Sequence, residues 1–332
     1  MADYFISPSG NDGNAGSIGS PRLTIPGGIA LLSSGDTLNL RTGTYLGNSI
    51  GSYANLFNGR GGTSWSNLTT IQAYQSEVAQ IVDPNGFGVS TPSSGQVCAW
   101  IQFKNLIIDG GSGAGGGDNG GQTHHIKWDG CEIKNCPQSG LFMGGSSGMD
   151  GEYGWAIRCN VHHNGGFVGY AFSDPANDHF DHGIYISSSY NVVEYCDIHD
   201  QAHGWGIHNY GGNPNYNIYR YNKIHRNGNE TSSTAGVILA TGFRNKLHNN
   251  LIINNSNGLN IGLGGQDNET LNNTFYGNGL YFAPNNAHPT PVITVDEGLR
   301  AVVKNNLSVN NRMNYFQLSS QTQHSNNGFG TV

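Results

Sequence analysis

The sequence predicts an all-β solenoid, a chain wound as one long stack of short parallel strands. Three observations predict it: segments headed by Asn or Cys recur along the chain, their apolar runs have period 2, and Gly is abundant while charge is scarce. The segments are NLIID, CEIKN, CNVHHN, CDIHD, NKIHRN, NLIINN, NTFYGN and NLSVNN, opening at Asn105, Cys131, Cys159, Cys196, Asn222, Asn250, Asn273 and Asn306. Their spacings are 26, 28, 37, 26, 28, 23 and 33 residues. A unit of about 25 residues with three short strands is one coil, and coils stack about 4.8 Å apart, the distance between neighbouring strands.

Composition agrees with an ordered chain and excludes several functions. The 332 residues include 51 Gly; 11% are charged and 10% aromatic, with 16 Tyr. Disordered chains lack such an aromatic content because they have no core to hold it. A formal charge of −7 argues against a nucleic-acid partner. No apolar run approaches a membrane span. The start, MADYFISPSG, has neither a basic nor an apolar signal region, so the expectation is a chain made without a signal peptide or a mature form restarted at Met1-Ala2. Five cysteines, an odd number, argue against a disulfide framework.

The heading column has a structural reason. Asn amides stacked at one corner can hydrogen-bond from coil to coil and satisfy groups that the turn would otherwise bury unpaired. Cys131, Cys159 and Cys196 replace Asn in three consecutive coils. A thiol stack suits a buried column, so these three are expected to be packing residues and not metal ligands.

The Asn-type column, the coil length and the three-strand unit resemble the right-handed parallel β-helix proteins of the pectate-lyase-like superfamily. YFISPSGNDGNAGS and GDTLNLRTGTY, residues 35–45, resemble the opening of many secreted bacterial members. Between them, TIPGGIALLSS fits a short amphipathic helix that caps the first coil and shields the sheet edge. The resemblance implies a single right-handed parallel β-helix over residues 1–332. Within it are a cap and first coil (1–50), coils (51–310) and an irregular C-terminal segment (311–332).

In that family the column turn separates the second strand of a coil from the third. The first strands here are then GLFMG (140–144), GIYIS (183–187), GIHNY (206–210), GVILA (236–240), GLNIG (258–262) and GLYFA (279–283). Period 2 turns Leu141, Ile184, Ile207, Val237, Leu259 and Leu280 inward, and Phe142, Tyr185, His208, Ile238, Asn260 and Tyr281 outward. Tyr185 and His208 should therefore be neighbours on adjacent coils, about 5 Å apart at the backbone. The longest coil, 37 residues, spends its extra length in GGFVGYAFSDPANDHFDH, residues 165–182, just before the strand of Tyr185. Long loops on rigid scaffolds carry function.

The candidate site is thus Asp174, Asp178, His179, Asp181, His182, Tyr185, His203, His208 and Tyr210, on the face where the resemblance places the substrate groove. Three chemistries fit. In β-elimination of a uronic-acid polymer, His208 or His182 would be the base and Tyr185 the acid, with Asp181 and His203 as further catalytic candidates. Ca²⁺ held by Asp178 and Asp181 would neutralise the sugar carboxylate. The family pattern uses an Arg or Lys base; no outward first-strand residue is basic, and Arg226 is the nearest substitute. A C5-epimerase would share this machinery, and SDP…DH resembles its Asp-Pro-His motif, broken by an insertion. In glycoside hydrolysis, including tailspike-like depolymerases, Asp178 and Asp181 would be the carboxylate pair, and Ala202-His203-Gly204 resembles a Gly-His-Gly of the polygalacturonase branch. In glycan binding without chemistry, Phe142, Tyr185, Tyr281 and Trp205 would form a stacking platform. Phe142, Asp178, His179, Trp205, Tyr210 and Arg226 are the expected substrate contacts.

A second polar column, Lys134, His162, His199 and His225 beside Glu132, Asn160, Asp197 and Lys223, should stack outward on the third strands and reads as a solvated face. GGSGAGGGDNGG, residues 110–121, lacks the strand and helix of a phosphate loop. The expectation is a secreted or cell-surface enzyme, monomer or homotrimer, with a polysaccharide substrate and no nucleic-acid or membrane partner. A lyase of acidic polysaccharides comes first.

Overall fold

A computed structural model describes the chain apart from residues 47–56, 58, 84–86, 90–96, 111–115, 119–122, 137, 145–150, 166–181, 202–203, 213, 229–235, 280–291, 296–299, 315 and 331–332. Its strands form three parallel sheets, of nine, twelve and eleven strands among the described residues, and each coil contributes in turn to the first, second and third. In one coil these are Ile184–Ile186, Val192–Glu194 and Asp197–His199; in the next, Ile207–Asn209, Ile218–Arg220 and Lys223–His225. Strands of three residues cannot bury a face alone, so the core runs up the inside of the stack. It contains Leu141, Ile184, Ile207, Val237 and Leu259 from the first sheet and Ile133, Val161, Ile198 and Ile224 from the third, all fully buried. The chain is a parallel β-helix.

Corners are sharp because one residue at each adopts a left-handed conformation. In the coil of Tyr185 these are Tyr190 (φ 63°), Tyr195 (φ 56°) and Asp200 (φ 53°). The residue after each points inward: Asn191, Cys196 and Gln201, each buried. Left-handed backbone costs an L-residue about 1–2 kcal/mol, and buried side-chain hydrogen bonds offset that cost. Asn222 donates through its backbone N–H and its Nδ2 to Asn250 Oδ1, both at 3.0 Å, and Asn250 donates likewise to Asn273 at 2.9 Å. Parallel columns occupy the other two corners. Asn227, Asn255, Asn278 and Asn311 form one, and Asn191, Asn217, Asn245 and Asn268 form the other.

Cys131, Cys159 and Cys196 are free and buried. Each Sγ lies on a carbonyl of the preceding coil, that of Phe103, Trp128 or Ala156, at 3.4–3.6 Å. Asn222 uses the equivalent carbonyl, that of Val193, at 2.9 Å. A thiol can therefore take the donor half of the amide's role.

At the N-terminus a helix, Ile25–Ile29, covers the first coil. Thr24 caps it by accepting the Gly27 N–H at 3.0 Å, and Asp12 holds Thr24 in place. Ile25 and Ile29 are buried against the core that includes Ile6 and Leu38.

Two expectations change. First, the strand paired to Leu259–Ile261 is Ile293–Val295, with Leu259 opposite Ile293, so GLYFA does not take that place in the first sheet; residues 280–283 lie outside the described residues. Glycine precedes the earlier first strands for a steric reason. A Cβ at Gly183 or Gly206 would sit 2.6–2.7 Å from the carbonyl oxygen of the next coil's glycine. That glycine column ends at Val292, so Gly279-Leu280 mimics its signal. Second, residues 311–332 are not all irregular. Phe316–Gln317, Gln323–Ser325 and Gly328–Gly330 pair in parallel with the three preceding strands and form one more coil. The Gly-rich run contributes Gly116–Asp118 to the first sheet.

Candidate functional site

The outward row of the first sheet is Phe142, Tyr185, His208, Ile238, Asn260 and Thr294, each in register with the next. Tyr185 and His208 are partners on adjacent coils, with ring centroids 5.0 Å apart. Phe142 stacks on Tyr185 at 5.3 Å, and Tyr210 stacks on His208 at 5.4 Å. Trp205 packs with Ile238 and Ala240 in a small cluster separate from the main core, its ring 6.3 Å from His208. Gly211, at φ 90°, has no Cβ, which here would stand 3.3 Å from the Tyr185 hydroxyl.

His182 lies beneath this row, 1% exposed, its ring stacked on Tyr185 at 5.5 Å. The Trp205 backbone N–H donates to His182 Nδ1 at 3.1 Å, and His182 Nε2 is 2.6 Å from His208 Nδ1. These two bonds set the tautomers. An Nδ1 that accepts from a backbone N–H leaves the proton of a neutral imidazole on Nε2, which donates to His208 Nδ1. Neutral His208 then carries its own proton on Nε2. Burial pushes the His208 pKa down to about 3, so the neutral form holds at ordinary pH. Burial, followed by the nearby Tyr210, raises the Tyr185 pKa and keeps that group a phenol. The cluster therefore offers donors: an imidazole N–H and a phenol O–H.

Other expected site residues are placed differently. Asp174, Asp178, His179, Asp181 and His203 lie outside the described residues, as does Tyr281. The Ca²⁺ expectation, which rests on Asp178 and Asp181, falls there too. Arg226 is in the left-handed corner after the third-sheet strand, and its guanidinium grips Asp200 at 2.7 and 2.5 Å. His182 is buried, and its Nε2 meets His208.

A feature the sequence reading missed flanks the first sheet. At the corner leading to the second sheet, His125, Tyr153, Tyr190 and Tyr216 stack at 4.8, 4.8 and 5.1 Å with interplanar angles of 12°, 4° and 3°. Trp100 continues the column at one end and Phe243 at the other. The signal was a Tyr directly before the inward residue in Tyr153-Gly154, Tyr190-Asn191 and Tyr216-Asn217. Rings stacked this closely cover one another's faces and show edges, which makes the column packing and not an open platform for sugars.

The fold has many relatives of low identity. A pectate lyase is similar over 98% of this chain and 79% of its own, with 16% identity and a TM-score of 0.57. A rhamnogalacturonan lyase covers 98% and 87%, at 15% and 0.60. A structure named glycoside hydrolase covers 99% and 97%, at 10% and 0.65. No curated protein matches the chain in sequence. The family described as right handed beta helix region matches residues 85–275 and 177–329. With that match across most of its length and with its sheets parallel throughout, the chain belongs to the right-handed β-helix family.

Proposed function

We propose that the chain is a secreted or surface enzyme that cleaves a uronic-acid-containing polysaccharide by β-elimination at the first-sheet face. The observation that carries this reading is the donor pair on adjacent coils, His208 Nε2–H and the Tyr185 phenol, held by the buried relay from the Trp205 N–H through His182. The names of similar folds, pectate lyase and rhamnogalacturonan lyase, support the substrate class.

Elimination moves the C5 proton to a base, forms the C4–C5 double bond and delivers a proton to the leaving glycosidic oxygen. Negative charge develops on the sugar carboxylate as the C5 proton leaves. A fixed N–H aimed at that carboxylate stabilises the transition state more than the ground state. This role fits His208 better than that of base, because Nε2, the nitrogen not bonded to His182, carries the proton. Tyr185 is assigned the acid. The base is assigned to the residues that flank the cluster in sequence, Asp181 beside His182 or His203 near Trp205.

The test is a panel of acidic and neutral polysaccharides, followed by both the ultraviolet absorbance of unsaturated uronate and the release of reducing ends. A rise in both supports elimination. Reducing ends alone would overturn it in favour of hydrolysis by Asp178 and Asp181, and silence across the panel would favour epimerisation or binding. On the substrate that responds, His208→Ala should lower kcat by about 10²–10³-fold, the loss expected for one fixed donor. The unfolding midpoint should fall as well, since His208 is largely buried and its loss leaves buried His182 without that partner, so kcat is compared at a temperature where the variant stays folded. Activity abolished by a calcium chelator would move carboxylate neutralisation from His208 to a cation on Asp178 and Asp181.

A further inference from the structure

The third sheet carries a second cluster of chemical groups on its outer face. Asp197 and His199 stand two residues apart on one strand and so point the same way; His225 is the cross-strand partner of His199 on the next coil. One ligand atom from each of the three lies within 4.8 Å of the others. His225 Nε2 is 2.6 Å from Asp197 Oδ1. The two imidazoles stack at 4.8 Å.

The support behind His199 is the second observation. Its Nδ1 is 2.7 Å from Asp200 Oδ2, and Arg226 grips the same carboxylate. A carboxylate so held accepts from Nδ1–H, which leaves Nε2 to take an ion. His199 Nε2 lies 3.0 Å from the Asn160 side-chain oxygen, so that amide turns aside or flips to release the nitrogen. Carboxylate–histidine–metal is the usual way a ligating imidazole is oriented.

We propose that Asp197, His199 and His225 bind one borderline divalent transition ion of the Zn²⁺ class. Two imidazoles and a carboxylate are a donor set for such ions, while Ca²⁺ and Mg²⁺ prefer oxygen. At metal–ligand distances of about 2.0–2.2 Å the ligand atoms must close to within about 4 Å of one another. That is a small rotation of side chains on a fixed sheet. To take the ion, a neutral His225 carries its one ring proton on Nδ1 in place of Nε2, which frees the Nε2 lone pair from Asp197 with no net loss of a proton. Lys223, 3.6 Å from Asp197, is displaced to solvent. The bound ion would staple two coils together on a face other than the candidate active site.

The experiment is titration of the full chain with Co²⁺, read by its visible spectrum, and with Zn²⁺, read by displacement of that spectrum and by the melting temperature. One equivalent of Co²⁺ with intense low-coordinate bands is expected, displaced by Zn²⁺ and accompanied by a higher melting temperature. Asp197→Asn, at a half-exposed side chain, should abolish stoichiometric binding without unfolding the chain. Asp200→Asn should weaken it by about 10–100-fold, the usual effect of removing an outer-shell partner. The proposal is overturned if no saturable Co²⁺ spectrum appears, or if the spectrum survives unchanged in Asp197→Asn, which would place the ion elsewhere.

Discussion

Asn250→Ala should destabilise the chain by about 3–5 kcal/mol in urea unfolding, without reaching the candidate active site. The side chain is 3% exposed. Its Oδ1 accepts the Asn222 N–H and Nδ2–H, and its Nδ2 donates to Tyr219 O at 2.9 Å, His248 O at 3.1 Å and Asn273 Oδ1 at 2.9 Å. Alanine removes all of these in a place water does not reach. Each buried group left unsatisfied costs about 1–3 kcal/mol, and a small cavity adds to the loss. Asn250→Cys should cost less, because a thiol at this corner reaches the preceding carbonyl, as Cys196 does at 3.4 Å. An alanine variant within about 1 kcal/mol of the wild type would mean that the column does not couple the coils.

The second large effect is acid lability. Burial depresses His208 from 6.5 to about 3 and His125 to about 4, the latter helped by His124; His124 and His248 also shift down on burial. The unfolded chain takes up these protons near pH 6.5, whereas the folded chain resists until lower pH. Between those values the unfolded state binds more protons, so stability falls as pH falls. The contribution is fully present above about pH 6.5 and is lost on the way down through the folded values. At pH 4 the loss is about 3 kcal/mol from His208, and His125, which is half-exposed and screened by solvent, adds less. That is a large part of a typical total stability of about 5–15 kcal/mol. Asp200, held at about 2 by Arg226 and His199, adds in the same direction at still lower pH. Urea unfolding at a series of pH values checks this, and His208→Gln should flatten the slope. A stability constant from neutral pH to about pH 4 would show that these imidazoles are solvated.

Much of the architecture was legible in the sequence because a coil repeats its constraints. The middle column was found from its Asn and Cys heads, and the first-sheet register from the Gly-apolar pairs. That register brought Tyr185 and His208 together as partners. The outer Asn columns were hidden by substitutions such as Gln201 and Ala301 and by the many surface Asn residues that hold the left-handed corners, Asn249 and Asn254 among them. The relay to His208 was not legible, because its first donor is a backbone N–H, which any residue but proline at position 205 would supply. The strand after Leu259–Ile261 was misplaced because Val292 ends the glycine column one coil early.

One regularity bears on how such a chain changes over time. Inward corner residues fall at 191, 196 and 201, at 217, 222 and 227, at 245, 250 and 255, and at 268, 273 and 278, always five apart. Two sides of these coils are therefore written in lines of fixed length, and their length variation is pushed to the remaining side, which holds the first sheet and its loops. An insertion on that side leaves the other two in register. Such a molecule can exchange its recognition loops as a lock changes its pins, with the barrel untouched.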